Sequence, residues 1–395
     1  MKKNILIVNW NMEIGGAERS LIAMLNNFDY EQYNVDLYLH SHSGDLLYLL
    51  PKQVNLLPEV PESTLFSNSI LDNLKRGYLK IPVIRLYGKL ISLFEKHNKS
   101  VSDIGYFQGG KMWKYVCRFI PHISKKYDVA ISYSAHHDFT VNNVVASKKI
   151  AWIHTDYSRI HIDREHDLST WVQFDYIVSI SDACTESFLS VYPTLTDKII
   201  LVENLTNPEY VKTMADFPVE QSFRNGFNLV SVGRLCEPKA FDRAVEVLSE
   251  LDKRGYKDIN WYIVGDGGDR ALIENKIKQH KLEERFILLG STPNPYPYMN
   301  AADIYLQPSL YEGKAVTVSE ALILAKPVII TNYPTASSQI NNGVNGIICN
   351  QSISDISDAI IDLYNSKDRQ QQLIEFNQQS KHTNIEELQK LYRII

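Results

Sequence analysis

The sequence predicts an α/β protein of two doubly wound domains facing each other across a cleft. Two observations carry this. Short apolar runs alternate along the chain with stretches of helical spacing, and the alternation comes as two separate series. Strands buried on both faces of a parallel sheet read as such runs, and each parallel pair needs a crossover, usually a helix. A chain of 395 residues is long enough for two such domains.

In the first series, residues 4–8 read as a strand, followed by a Gly15-Gly16 loop. Residues 17–28 have helical spacing, with Leu21, Met24, Leu25 and Phe28 on one face. Residues 35–39 read as the next strand, and 51–73 as loop. Strands follow at 129–133, 150–153 and 176–180, and Ser181-Asp182 is placed to cap a helix beginning at Ala183. In the second series, strands are expected at 228–232, 260–264, 286–289, 303–306 and 328–330. Helices are expected at 241–253, 269–279 and 316–324, and the Gln-rich stretch 370–380 reads as polar helix or loop. Asn, Pro and Asp cluster at 204–217, which sets the domains at 1–206 and 207–381. A C-terminal helix at about 382–395 joins the first of them.

Composition narrows the class. Apolar residues make up 44% and charged residues 22%, the balance of a soluble globular protein. A formal net charge of −5 argues against a nucleic-acid binder. The four cysteines lie far apart, with no CxxC pair, so neither a zinc site nor a disulfide framework is expected and a reducing cytoplasm fits. The apolar run after Lys3 breaks at Asn9 and Asn11, too early for a secretory signal. No apolar stretch is long enough for a membrane-spanning helix.

Three loops carry candidate chemistry. Tyr311-Glu312-Gly313-Lys314-Ala315-Val316 leads from a strand into a helix that contains Glu320. Backbone N–H groups at 313–316 would point outward at the helix N-terminus, which favours a phosphate. Glu312 could reach past it to a sugar, and Glu320 could accept hydrogen bonds from a vicinal diol such as ribose. Spacing alone favours a plainer reading, with Glu312 a loop charge and Glu320 an exposed helix residue. Gly233-Arg234-Leu235-Cys236-Glu237-Pro238-Lys239 puts two cations in one loop, which suits a diphosphate but also describes a basic surface loop. Gly15-Gly16-Ala17 allows backbone to approach an anion, yet it is no full GxGxxG, and no acidic residue follows the second strand as a dinucleotide site requires. Gly265-Asp266-Gly267-Gly268 reads as a strand-to-helix turn before a phosphate cradle.

In this order the motifs resemble those of the retaining GT-B glycosyltransferases of family 4, over Gly15-Gly16-Ala17 and nearly all of 230–349. Glu312 and Glu320 match the family's paired-glutamate motif. The resemblance implies two Rossmann-like domains, an acceptor domain first and a nucleotide-sugar domain second. It implies transfer of a hexosyl unit from a nucleoside diphosphate sugar, UDP foremost, to an acceptor hydroxyl, with no metal or other cofactor. Arg234 and Lys239 would grip the diphosphate and Glu320 the ribose. Glu312 would contact sugar hydroxyls, and Gly313, Ala315 and Val316 would offer backbone donors. Gly16 would lie near the reacting centre, and the loop after Gly290 would hold the base. His154, in Trp152-Ile153-His154-Thr155-Asp156, would face the transferred sugar; a packed or surface histidine is the alternative. His136, His137, His161 and His166 have weaker claims, as has Asn204. The chain departs from the family at Ala240, where glycine is usual, and at Lys314, which would touch the donor sugar or point to solvent. The phrasing of 311–321 and 327–334 looks most like capsule and exopolysaccharide enzymes, which implies a glycan or lipid-linked acceptor. A GT-B sugar-nucleotide epimerase and an inactive nucleotide-sugar binder are the rival readings.

Charge is unevenly spread. Residues 70–126 hold twelve basic residues against three acidic ones, interleaved with Leu79, Ile81, Val83, Ile84, Leu86, Tyr87, Leu90, Ile91, Leu93 and Phe94. The mix reads as a basic amphipathic segment for an anionic membrane surface, at the inner face of the cell membrane. The alternative is a solvated helix pair whose apolar face belongs to the first domain's core.

Overall fold

A computed structural model describes residues 2–65, 69–75, 77–99, 105–134, 136–158, 160–219 and 223–395, with backbone alone for 94–99. The chain forms two compact units, Met1–Glu203 with Ile385–Ile395, and Asn204–Asn384. The breaks fall a few residues from where composition set them. Asn384 explains why: its amide donates to the Asn204 carbonyl at 2.9 Å and its oxygen accepts from the Thr206 N–H at 3.1 Å. These bonds keep both junctions with the second unit.

The first unit is a seven-stranded sheet of β1 (Lys3–Asn9), β2 (Tyr33–Leu39), β3 (Asn55–Leu56), β4 (Tyr127–Ser134), β5 (Ala146–Ile153), β6 (Tyr176–Ser179) and β7 (Ile199–Leu201). Its order is β3-β2-β1-β4-β5-β6-β7, every pairing parallel. Ile5–Val8 of β1 are fully buried, as a central strand covered on both faces requires. Leu6 and Val8 pack with Trp113 and Phe139 on one face. Ser181 caps the helix Asp182–Val191 as the sequence predicts, its side chain accepting from the Cys184 N–H. The last residues lock onto this sheet: Tyr392 stacks on Tyr33 at 5.4 Å, Lys3 Nζ donates to the Ile395 carbonyl at 3.0 Å, and Lys148 Nζ to that of Ile394 at 2.6 Å.

Residues 51–73, expected as loop, contain β3 and the helices Pro61–Thr64 and Ile70–Lys75. Next comes the helix Lys80–Lys99, whose two faces answer the two readings of the basic segment differently. Ile81 and Ser92 are buried, and Gly88 packs on Met112 of the helix Gly105–Val116. Leu79, Val83, Leu86, Leu90 and Leu93 face solvent. Of the charges counted there, Arg76 and Asp103 lie outside the described residues, as do the side chains of Glu95, Lys96 and Lys99. Arg85 is no surface cation: its guanidinium donates to the Leu65 carbonyl at 2.9 Å, and burial lowers its pKa.

The second unit is a six-stranded sheet of β8 (Phe227–Val232), β9 (Ile259–Val264), β10 (Phe286–Gly290), β11 (Ile304–Gln307), β12 (Val328–Thr331) and β13 (Ile347–Cys349). The order is β10-β9-β8-β11-β12-β13, again all parallel. The helix Phe241–Lys253 lays Val245, Leu248 and Leu251 against one face of this sheet, in the cluster with Leu229 and Trp261. Both sheets reverse strand order once, between β1 and β4 and between β8 and β11. In an open parallel sheet, the loops leaving the carboxyl ends of strands at such a reversal bound the ligand crevice.

Candidate functional site

β8 and β11 each deliver a loop to the reversal of the second sheet. The β8 loop carries Arg234 and Lys239, and the β11 loop carries Glu312. Lys239 and Glu312, 73 positions apart, meet with Nζ 2.6 Å from Oε1. Ser309 Oγ donates to the same oxygen at 2.6 Å and Gln307 Nε2 at 3.2 Å. Gln307 also donates to Ser309 Oγ at 2.7 Å, and Thr335 Oγ1 holds the Glu312 carbonyl at 3.1 Å. Three donors on one oxygen fix the carboxylate and leave Oε2 without a bond among the described residues. Both side chains are largely out of solvent, at 19% and 12% exposure, so salt screens the pair weakly. Arg234 is exposed in the same loop and makes no ion pair among the described residues.

The glycines around 265 brace that loop rather than cradle a ligand. Gly265 has φ +151°, and a Cβ there would collide with the Gly233 carbonyl oxygen; one on Gly267 would collide with Leu235 backbone. The Leu235 N–H donates to the Asp266 carbonyl at 3.0 Å, and the Asp269 N–H to that of Leu235 at 3.0 Å. Ala240 adopts φ 54° and ψ 33°, so the alanine keeps the left-handed geometry that glycine takes without cost.

Glu320 is buried, at 2% exposure, and not the exposed helix residue that spacing alone favours. Its Oε1 accepts from Tyr296 Oη at 2.7 Å, just after the loop that follows Gly290. Ala315 differs from expectation in another way. Its N–H is already given to Gln339 Oε1 at 3.0 Å, and its carbonyl accepts from Gln339 Nε2 at 2.8 Å. The donor expected there for a ligand is therefore occupied. Gly313 and Lys314 are half-exposed, and Val316 opens the helix Val316–Ile323, whose first N–H groups have no partner within the helix.

In the first unit, Gly16 begins the helix Gly16–Asn26 after β1. A Cβ on the preceding Gly15 would collide with the Glu18 carboxylate, so an acid of this chain already lies at the helix N-terminus where an anionic ligand is expected. His154 follows the end of β5 and packs on the Tyr133 ring at 4.6 Å. Burial lowers its pKa to about 4, with the Tyr133 backbone opposing, which leaves the ring neutral. His136 stacks on Trp113 at 4.8 Å and His137 shares a hydrogen bond with Ser132 Oγ at 2.8 Å. His161 stacks on Phe107 at 5.0 Å, and His166 Nε2 lies 2.8 Å from Asp138 Oδ1. Asn204 is buried at the junction. Among the described residues no group of three or more His, Cys, Asp or Glu could hold a metal ion.

Comparison with known proteins fits this arrangement. The family model for "Glycosyl transferases group 1" matches residues 214–380, the span that holds Arg234, Lys239, Glu312 and Glu320. Residues 214–380 are thus similar to a group 1 glycosyl transferase domain. Over 173 residues the chain is 26% identical to the O-antigen biosynthesis glycosyltransferase WclY of Escherichia coli, covering 42% of this chain and 46% of that one. It is 30% identical over 112 residues to the amylovoran biosynthesis glycosyltransferase AmsD of Erwinia amylovora, covering 28% and 31%. The chain thus spans less than half the length of these curated relatives. The crystal structure of Anabaena HepE in complex with UDP superposes on 100% of this chain and 99% of that one, with a TM-score of 0.68 at 15% identity. That likeness shows the fold, which is GT-B with two Rossmann-like domains.

Sequence reasoning missed Gln307, Ser309 and Tyr296, which hold the glutamates, and Gln339, which holds Ala315. Gln307 had a legible signal, a polar side chain ending the apolar run Ile304-Tyr305-Leu306 and fully buried in the fold. Tyr296 and Gln339 had none, because their partners lie 24 positions away in both cases.

Proposed function

We propose that this chain is a retaining glycosyltransferase that moves a hexosyl unit from a nucleoside diphosphate sugar, with UDP as the nucleotide, to an acceptor hydroxyl. The observation that carries this reading is the Lys239–Glu312 pair at the β8/β11 reversal, beside the exposed Arg234. The charge that must be stabilised develops on the departing diphosphate. Arg234, the remaining Lys239 protons and the N-terminus at Val316 oppose it without a divalent metal. Glu312 Oε2, held from behind by Ser309 and Gln307, accepts from sugar hydroxyls, and Glu320 accepts from the ribose diol. The acceptor oxygen attacks on the face the diphosphate leaves, and a phosphate oxygen takes its proton. His154, neutral at pH 7, serves the transferred sugar with a hydrogen bond.

The UDP-bound HepE neighbour supports the nucleotide. The O-antigen and amylovoran relatives support a lipid-linked or polymeric glycan acceptor of a bacterial surface polysaccharide. The place of work on this reading is the cytoplasm, peripheral at the inner face of the cell membrane. No helix among the described residues is long and apolar enough to cross a membrane. Incubation with a panel of nucleotide sugars and candidate glycans, read by mass spectrometry, tests the reading. UDP release with a lengthened glycan is expected. An epimerised sugar nucleotide, or binding without turnover, refutes it. Full activity in EDTA and a retained anomeric configuration by NMR are expected as well; activity lost in EDTA and restored by magnesium would end the metal-free assignment.

A further inference from the structure

We propose that the helix Lys80–Lys99, with Ile70–Lys75 before it, is the surface on which this chain docks to an anionic lipid bilayer. The proposal rests on the glycosyltransferase reading for its purpose, a membrane-borne acceptor. Its physical argument is independent of that reading. Leu79, Val83, Leu86, Leu90 and Leu93 each leave between 49% and 67% of their surface in solvent. Their alternating spacing of four and three puts them on one side of a helix. The row is about 21 Å long at 1.5 Å per residue. Leu71 and Leu74 of the shorter helix are exposed as well. Folded chains rarely leave such a contiguous apolar face uncovered unless something binds it.

The row is not the helix's core face. The opposite side of the same helix is already engaged, through Ile81, Ser92 and the Gly88–Met112 contact. Among the described residues no helix is long and apolar enough to cross a bilayer, and this one carries Lys80, Arg85 and Lys89, so it lies in the interface.

Charge selects the occupant. Lys75, Lys80 and Lys89 are exposed around the row, and residues 80–93 contain no acidic side chain. A second copy would set these lysines against one another, whereas helix pairs of this spacing use opposite charges on their flanks. Anionic headgroups supply the complement. The cations are fewer than the sequence suggests, because Arg85 is held by the Leu65 carbonyl, Lys111 by Asp163 at 2.6 Å and Lys125 by Asp36 at 2.9 Å. Leucine insertion therefore supplies most of the attraction, and added salt weakens binding without abolishing it.

The test is co-sedimentation of the full chain with vesicles of phosphatidylglycerol in phosphatidylcholine, against phosphatidylcholine alone. Leu86→Ser/Leu90→Ser should weaken binding about a hundredfold, roughly tenfold per exposed leucine. Lys80→Glu/Lys89→Glu should remove the preference for phosphatidylglycerol by at least about tenfold. Both variants should melt like wild type and release UDP from UDP-sugars at the wild-type rate, since neither alters residues 214–380. Absence of vesicle binding at low salt overturns the proposal. So does binding indifferent to the two serines, or a lipid-free dimer in light scattering that the serines dissociate. Vesicle binding without any turnover of nucleotide sugars would sink the catalytic reading and leave the docking surface standing.

Discussion

Acidification should unfold the first unit well before the second. Burial holds four histidines of the first unit neutral, lowering His40 and His137 to about 3 and His136 and His154 to about 4. A histidine depressed in the fold takes up its proton first in the unfolded chain. Its stabilisation is complete above the unfolded pKa near 6.5 and falls with pH until the folded pKa is reached. At pH 5 each of the four gives up about 2 kcal/mol, on the order of 8 kcal/mol together, which is the whole stability of many domains. Two neighbours act the other way. Burial raises the Asp167 carboxyl to about 6, so it protonates in the fold first and returns about 1 kcal/mol at pH 5. The hydrogen bond to Asp138 raises His166, which therefore adds stability below 6.5 and loses it as pH rises through the folded value. The four histidines less Asp167 leave a loss of roughly 7 kcal/mol, which His166 lessens. Tryptophan emission is a suitable reporter, because Trp10, Trp113, Trp152 and Trp171 lie in the first unit and Trp261 alone in the second. Thermal melts at pH 7.5, 6 and 5 should show the fluorescence transition falling steeply. His40, packed on Trp10, Trp113 and Phe139 with no hydrogen-bond partner for either ring nitrogen among the described residues, is the cleanest control. His40→Leu should remove about 2 kcal/mol of the loss at pH 5. A transition that does not move between pH 7.5 and 5, or one that His40→Leu leaves unchanged, would refute the reasoning.

Three further outcomes are expected. Glu320→Gln keeps an acceptor for Tyr296 but loses the charge, so UDP affinity by calorimetry should fall by about 1.5–3 kcal/mol, while Glu312→Gln should keep affinity and lose kcat; equal UDP affinity in wild type and Glu320→Gln would remove the ribose assignment. Ala240→Gly should stabilise the second unit by roughly 0.5 kcal/mol by relieving the left-handed alanine, and Ala240→Val should destabilise it; calorimetric melts with the opposite order would show that the φ of 54° costs nothing. Gly267→Ala pushes a methyl into Leu235 backbone, so it should cost about 1–3 kcal/mol and raise KM for the nucleotide sugar through the displaced Lys239 loop; an unchanged melt would mean the loop yields freely.

The central strands were the legible part of the fold. β1 holds the unbroken apolar run Ile5-Leu6-Ile7-Val8, and β4 and β8 hold the shorter runs Val129-Ala130-Ile131 and Leu229-Val230, because both faces are covered. Of the four edge strands, β10 was read at 286–289 and the other three were not. β3 has two residues and β7 and β13 three each, too short to show a pattern. Residues 51–73 misled for a related reason, since their helices, of four and six residues, are too short to show periodicity. At the site, the types and order of Arg234, Lys239, Glu312 and Glu320 could be read, but not their partners. Nothing in Lys239 announces that it bonds Glu312, and nothing in Ala315 announces that Gln339 takes its N–H. Hydrogen bonds across 24 or 73 positions are properties of the assembled sheet. Arg85 shows the same limit for charge, because a count of basic residues does not say which of them a carbonyl has claimed.

The return of Ile385–Ile395 to the first sheet makes the second unit an insertion within the first. Its two ends are tied by the Asn204–Asn384 hydrogen bond, so the whole of Asn204–Asn384 enters and leaves through one narrow neck. On the ribosome this sets an order. The second unit has all its strands once residue 384 has emerged, and can close its core while the first still lacks the segment that seats Tyr392 on Tyr33. A nascent first unit therefore waits, with its β2 side uncovered, through the synthesis of 181 residues that belong to its neighbour. For anyone recombining such proteins, the second unit is a single cassette with adjacent ends, whereas the first can be moved only in two pieces.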